Sequence, residues 1–242
     1  MLKPLLTAFD FDNTLVEGHA LDTIVELGGK GLGANLTASY SLTEDPIQRT
    51  RALLKDLQKN KGVTAQQIRE AVQRLPLTPG MGDVLRFLKT NNCEIILISD
   101  MISVTIQDWL DGSDVGTLVD RVYTNLGRYN SEGFLELEAY HEQDWCDMSF
   151  RSLCKGTVLD DHVRKRSEEG VTFTQVAYFG DGKNDLCPMW HLSKTDLAFP
   201  RKGFKLMEMF ENKYVGTERV KASIHPWSSG QDILEVLRKF VK

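Results

Sequence analysis

Short apolar runs at 5–9, 94–99, 119–124, 175–179 and 197–199 are bounded by turn or polar residues, and helix-period stretches separate most of them. Strands alternating with helices predict an α/β, Rossmann-like fold, a mainly parallel sheet with helices on both faces. Ligands of such sheets bind beyond the carboxyl ends of the strands, so the residues following each run matter most. At 242 residues the chain can bury one α/β domain of ordinary size with a smaller insert.

The strand ends carry an unusual concentration of polar groups. Asp10-Phe11-Asp12-Asn13-Thr14 follows the first run and Ser99-Asp100 closes the second. Gly180-Asp181-Gly182-Lys183-Asn184-Asp185 follows the fourth, and Pro200-Arg201-Lys202 ends the fifth. From 17 to 75 no strand-like run intervenes, and the stretches 46–59 and 64–74 read as amphipathic helices. Thr64 with Gln67 three residues on forms a capping-box pattern. These features predict a small helical cap at 17–75, inserted after the first strand into a core formed by 1–16 and 76–242. Leu77-Thr78-Pro79-Gly80 would be the return hinge, since Pro and Gly punctuate there. Gly127, Asn130 and Gly133 with the alternation Phe134-Leu135-Glu136-Leu137-Glu138 predict a hairpin outside the main sheet.

Net charge narrows the partners. A formal −5 lacks the basic excess that nucleic acid or an anionic membrane would attract, and no apolar segment approaches bilayer length. Residues 1–9 read as the first strand rather than a signal peptide. Cys93, Cys146, Cys154 and Cys187 are scattered and read as reduced thiols, so a cytoplasmic location is expected. No signal bears on oligomeric state.

Two aspartates one residue apart, just past a strand where the chain turns, can both face the cleft. That arrangement suits phosphoryl transfer, with Asp10 as nucleophile and Asp12 protonating the leaving oxygen and then activating water. Asp181 and Asp185, on a glycine-bounded turn, would join Asp10 and Asp12 in an oxygen-rich site for Mg²⁺. Ser99 and Thr14 offer hydroxyls to the phosphate, and Lys155 a point charge to the phosphate and to Asp10. Asp100 and Asp22 are candidate substrate contacts. His19, at the start of the cap, could reach substrate, although a lone histidine more often sits at the surface or packs; His141 reads as structural, Cys187 as a packed thiol, and Trp145, Trp190 and Trp227 as core or interface anchors.

In order along the chain, Phe9-Asp10-Phe11-Asp12-Asn13-Thr14-Leu15, Ser99, Lys155 and Gly180-Asp181-Gly182-Lys183-Asn184-Asp185 resemble the four motifs of the haloacid-dehalogenase (HAD) superfamily. The likeness implies the HAD fold and a magnesium-dependent phosphatase working through an aspartyl-phosphate. Dehalogenases lack a carboxylate at the position of Asp12 and ion-pumping ATPases place a threonine there, so Asp12 favours a phosphatase or phosphotransferase. Cys154-Lys155-Gly156, Ser99-Asp100, the run from Gly180 to Pro188 and Phe199-Pro200-Arg201-Lys202 are similar to the phosphoethanolamine/phosphocholine and pyridoxal-phosphate phosphatase branch, and to plant thiamine-phosphate phosphatase-like proteins. A small phosphomonoester is the implied substrate.

Departures from that branch are equally specific. Ser99-Asp100-Met101-Ile102 stands where it reads Ser-Asp-Ala-Asn, and Leu21 stands where the choline and ethanolamine enzymes carry an acidic residue toward the cationic head group. Of the cysteine cluster that the branch carries before the lysine, Cys146 and Cys154 remain while Ser149 replaces another, so no zinc site is expected. Two other readings stay open: a phosphotransferase or phosphomutase, and a non-catalytic module that binds a phosphorylated ligand.

Overall fold

The period-two alternation of the central strands places one hydrophobic layer on each face of a sheet. In the computed structural model, which describes residues 1–29 and 46–241, Leu5 and Phe9 of β1 (Leu2–Phe9) enter one cluster, and Leu6 and Ala8 the other. Strand β2 (Glu94–Ile102) divides likewise, Ile95 and Leu97 against Ile96 and Ile98. Strands buried on both faces read as the continuous apolar runs seen in the sequence.

Among the described residues seven strands form one sheet in the order β4-β3-β2-β1-β5-β6-β7. The remaining strands are β3 (Arg121–Tyr129), β4 (Leu135–Glu138), β5 (Thr172–Gly180), β6 (Leu197–Pro200) and β7 (Ser223–Ile224). All neighbouring pairs are parallel except β3 and β4. This confirms the expected α/β class and corrects the expected hairpin. Strand β3 pairs with β2 through its first half and continues as the first arm of the hairpin, so the hairpin extends the main sheet at its edge instead of standing outside it.

Helices α4 (Met81–Thr90), α5 (Ser103–Gly112) and α9 (Gly230–Phe240) supply Leu85, Trp109 and Ile233 to one layer. On the opposite face α6 (Lys155–Glu168), α7 (Leu186–Trp190) and α8 (Lys205–Glu211) supply Leu159, Met189 and Leu206. Between β1 and α4 lie α1 (Ala20–Glu26), α2 (Pro46–Lys59) and α3 (Ala65–Gln73). Residues 30–45 of the expected cap lie outside the described residues. The capping box forms as anticipated: Gln67 N–H donates to Thr64 Oγ1 at 3.2 Å, and Thr64 N–H donates to Gln67 Oε1 at 2.8 Å.

The two links between these helices and the sheet run side by side. Glu17 N–H donates to the Pro76 carbonyl at 2.8 Å and Thr78 N–H to the Leu15 carbonyl at 3.0 Å, with Val16 and Leu77 in an antiparallel bridge. Trp109 closes the junction, donating its indole N–H to the Leu75 carbonyl at 2.9 Å and packing edge-on against Phe11. Trp227 is buried as an anchor, but Trp145 is 59% exposed, contrary to expectation. It lies on the loop outside the start of α6, where its indole N–H reaches Thr157 Oγ1 at 3.2 Å.

Below the sheet's amino end a buried ion cluster ties β2 to α6. Arg166 donates two hydrogen bonds to Glu94 Oε2, at 2.9 and 3.1 Å, and His162 Nε2 stands 3.0 Å from Glu94 Oε1. Burial alone would raise the Glu94 carboxyl, but the His162 and Arg166 hydrogen bonds and the Arg166 charge outweigh it and hold the group below its ordinary value of 4.5. A depressed carboxyl stabilises the fold above its unfolded value and loses that contribution as pH falls through its folded value. Glu94→Gln is therefore expected to lower stability by about 3 kcal/mol at neutral pH, the scale of a broken buried pair. Thermal denaturation of both proteins across pH should show the gap narrowing below 4.5.

Candidate active site

Three phenylalanines bring the polar strand ends to one level. Phe9 of β1 is in register with Phe179 of β5, which is in register with Phe199 of β6. Their rings stack with centroids 4.1 and 4.3 Å apart, close to the spacing of neighbouring strands. The residues that follow, Asp10, Gly180-Asp181 and Pro200-Arg201, consequently leave the sheet side by side. The turn after β1 passes through Asn13 at φ 51°, a left-handed conformation that Asn tolerates. Arg201, stacked on Phe204 and Trp227, fastens this turn by donating to the Asn13 carbonyl and to Glu17.

Lys155, the first residue of α6, has no solvent exposure and reaches the same point from the face below. Its Nζ lies 2.9 Å from Asp10 Oδ1, 2.8 Å from Asp185 Oδ1 and 3.5 Å from Asp100 Oδ1. Burial opposes its charge, but Asp10 and Asp185 outweigh that and hold the ammonium well above its usual range. Asp185 is fully engaged. Oδ1 also accepts from the Tyr178 hydroxyl at 2.7 Å, and Oδ2 accepts from the backbone N–H groups of Asp181 at 3.1 Å and Gly182 at 2.9 Å. Gly180 makes room for it, since a Cβ there would fall 2.4 Å from the Asp185 carboxyl carbon.

Asp10, Asp181 and Asp185 are buried, with one oxygen from each lying within 4.8 Å of the others. Burial pushes Asp10 well above the carboxylate range, with Lys155 opposing and Asp185, Asp100 and Asp181 adding to the rise. Burial and then Asp185 push Asp181 up to about 7, and burial raises Asp100 as well. Five carboxylates (Asp10, Asp12, Asp100, Asp181 and Asp185) thus face the basic side chains Lys155 and His19. An all-oxygen set with excess negative charge fits a hard divalent cation.

The expected ligands do not all converge. Asp12 turns away from the cluster: its Oδ1 accepts from the Ala20 N–H at 2.9 Å and its Oδ2 lies 3.3 Å from His19 Nδ1. Burial lowers His19, but the Asp12 hydrogen bond and the Asp12, Asp181 and Asp22 charges outweigh it and push the imidazole up to about 9. His19 thus lines the cavity beside Asp12, in keeping with its place at the start of the cap, although its pairing with Asp12 was not expected. Thr14 Oγ1 donates to Asp181 Oδ1 at 3.4 Å and does not line the cavity. Ser99 lines it, its Oγ accepting from the Met101 N–H at 3.2 Å. Asp100 lines it too, gripped through both oxygens by the Asn184 amide at 3.0 Å. Asp22 sits in the first turn of α1, half-buried and off the cavity wall. Tyr178 was also missed; its hydroxyl comes from beneath the sheet, where no sequence pattern marks a partner.

The cavity has a volume of about 510 Å³. Its lining includes the polar Asp10, Asp12, His19, Ser99, Asp100 and Asp181. It also includes the apolar Leu21, Ile47, Met101, Leu137, Phe150 and Phe204, together with Lys183 and Lys205.

A doubly covered, mainly parallel sheet with this carboxylate and lysine cluster at its carboxyl end defines a HAD-type phosphatase. The chain belongs to the family described as Putative Phosphatase, whose profile matches residues 5–241. It is 36% identical to the human protein named "Pyridoxal phosphate phosphatase PHOSPHO2", over 98% of this chain and 99% of that one. It is 32% identical to the chicken "Phosphoethanolamine/phosphocholine phosphatase", over 98% of this chain and 89% of the relative. Among solved structures, "Phospho-Aspartyl Intermediate Analogue of Phosphoserine phosphatase" superposes with TM-score 0.63 at 19% identity, covering 99% of this chain and 100% of that one, a likeness of fold. No helix among the described residues is long and apolar enough to cross a membrane.

The close approach at Gly180 yields a test of this geometry. In Gly180→Ala the methyl must displace the Asp185 carboxylate and with it Lys155. Phosphatase kcat is expected to fall about 100-fold, the scale of an ångström-level misplacement, with the circular dichroism spectrum unchanged.

Proposed function

We propose that this chain is a magnesium-dependent phosphomonoesterase that uses Asp10 as nucleophile and acts on a small ester whose leaving group is apolar and ring-like. The observation that carries the reading is a cavity lined by both carboxylates and apolar side chains, with Lys155 buried against Asp10, one of its lining carboxylates. An Asp10 oxygen attacks phosphorus, the bond from phosphorus to the ester oxygen breaks, and Asp12 gives its proton to the departing oxygen. Asp12 then takes a proton from water, whose oxygen attacks phosphorus, and the bond to Asp10 breaks to release inorganic phosphate. Lys155 and Ser99 offset charge on the transferred group.

Asp10 and Asp181 are the residues best suited to hold the cation. Asp185, with hydrogen bonds already on both oxygens, orients Lys155 and the turn around Asp181. Bound Mg²⁺ supplies charge neutralisation at the phosphate and orients it. His19 positions Asp12, and Thr14 positions Asp181. The helices at 17–75 serve as a cap, contributing Leu21 and Ile47 to the leaving-group end.

Leaving-group selectivity follows from the wall. Pyridoxal phosphate, named for the human relative, presents a planar ring to the apolar surface and anionic oxygen to Lys183 or Lys205. A quaternary ammonium would meet Leu21 where a carboxylate is needed. Phosphate release from pyridoxal phosphate, thiamine monophosphate, phosphoserine, phosphoethanolamine and phosphocholine, with and without Mg²⁺, tests this. Pyridoxal phosphate should lead the ranking, with activity requiring Mg²⁺ and absent from Asp10→Asn. Retained hydrolysis in that variant would refute the mechanism.

Leu21→Asp should shift the kcat/KM ratio toward phosphocholine by about tenfold, equivalent to about 1.4 kcal/mol. An unchanged ratio would remove Leu21 from specificity.

A further inference from the structure

The loop at 139–154 joins β4 to α6 without a helix or strand of its own. Loops this long inside a domain usually have a purpose of their own. This one is tightly wound: the buried Gln143 amide donates to the carbonyls of Cys146, Ser149 and Phe150, at 3.1, 3.3 and 3.0 Å. The winding carries Cys146 to Cys154, which precedes α6, and to Cys187 in α7. Cys146 Sγ is 3.4 Å from Cys187 Sγ, Cys154 Sγ is 3.7 Å from Cys187 Sγ, and all three lie within 4.8 Å of one another.

These spacings match a tetrahedral metal site. Zinc–sulfur bonds of about 2.3 Å place neighbouring sulfurs about 3.8 Å apart. A disulfide would join two of the thiols at about 2.05 Å and leave the third unused. A second observation points the same way. Ser149 is only 2% exposed and lies near the Cys187 thiol, and its Oγ has no hydrogen-bond partner. The Thr157 hydroxyl donates to Cys154 Sγ at 3.3 Å, as outer groups do toward ligating sulfur. Gly156 lets the elements close, because a Cβ there would fall 2.8 Å from Cys187 Sγ.

We infer that Cys146, Cys154 and Cys187 form a zinc site, with Ser149 Oγ or a water as the fourth ligand. Binding converts the three thiols to thiolates and releases their three protons. The site is structural: it clamps the loop to α6 and α7, each of which starts beside a residue of the charged cluster, Lys155 next to Cys154 and Asp185 two before Cys187. Thiolates select a soft metal and the carboxylates a hard one, so one chain can sort the two. The expectation of no zinc counted only the thiols before the lysine, and Cys187, 33 residues beyond Cys154, is the one that completes the cluster.

The full chain, expressed with added Zn²⁺ and purified in reductant and Mg²⁺, should retain about one zinc per chain by elemental mass spectrometry. Cys146→Ser and Cys187→Ser should each retain it about tenfold less well, whereas Cys93→Ser should match the parent. Because a variant can misfold, the parent protein exchanged with Co²⁺ gives an independent reading: thiolate-to-cobalt charge-transfer bands and intense tetrahedral d–d bands are expected. A parent protein with neither zinc nor those bands, undiminished zinc in the Cys146→Ser/Cys187→Ser double variant, or a native Cys146–Cys187 disulfide would overturn the assignment. None of these readouts depends on phosphatase activity, so the site stands or falls separately from the proposed catalysis.

Discussion

A fully buried ammonium cannot be left unpaired, and the placement of Lys155 organises the whole upper end of this molecule. Its Nζ meets carboxylates from the turn after β1, the end of β2 and the turn after β5. Removing one partner from such a cluster costs about 3–5 kcal/mol, because a charge is then stranded away from water. The cluster therefore requires α6 to start directly beneath the strand ends. It also requires Gly180 to be small and the Tyr178 hydroxyl to donate to the remaining acceptor position on Asp185. Stability and chemistry share these atoms, since the pairing that fixes Lys155 also aims Asp10.

The sheet meets this requirement through register more than through its loops. Phe9, Phe179 and Phe199 stack across three strands, and a one-residue slip of any strand would turn its phenyl ring to the opposite face. The same slip would carry Asp10 or Asp181 out of the cleft. A hydrophobic contact below the site thus enforces the alignment of charges above it. Carboxylates forced this close would otherwise drive one another apart, and burial responds by raising Asp10, Asp100 and Asp181 toward their neutral forms. In the proposed mechanism a divalent cation would replace those protons and leave Asp10 ionised.

Legibility of the chain from sequence followed the range of the interactions. Strands β1, β2, β5 and β6 were readable because burial on both faces makes them uninterrupted apolar runs, and α2 and α3 because helical period and the α3 capping box are local. The two-residue β7 and the merging of β3 with the hairpin depend on neighbours far along the chain and left no local signature. In the site, Asp10, Ser99, Lys155, Asp181 and Asp185 were found from motif order, and the fold brings them together. Tyr178 and the pairing of His19 with Asp12 were missed because each depends on a single side-chain contact, and Thr14 reaches Asp181 instead of the cavity for the same reason. The thiol cluster is the clearest case: two of its members are close in sequence, and the third arrives only when α7 packs on α6.

Apolar side chains make up much of the cavity lining, and this bears on what the enzyme can discriminate. An apolar wall separates ring-like leaving groups from smaller ones by buried area, which yields only modest ratios per group. Rejection of a cation is stronger, because an ammonium beside Leu21 would lose its hydration with no carboxylate to replace it. In the proposed reaction the apolar lining would also exclude water and so strengthen the field of Lys155 on the phosphate. Selectivity and rate would accordingly respond together to changes in α1 and α2, which supply Leu21 and Ile47 to the lining.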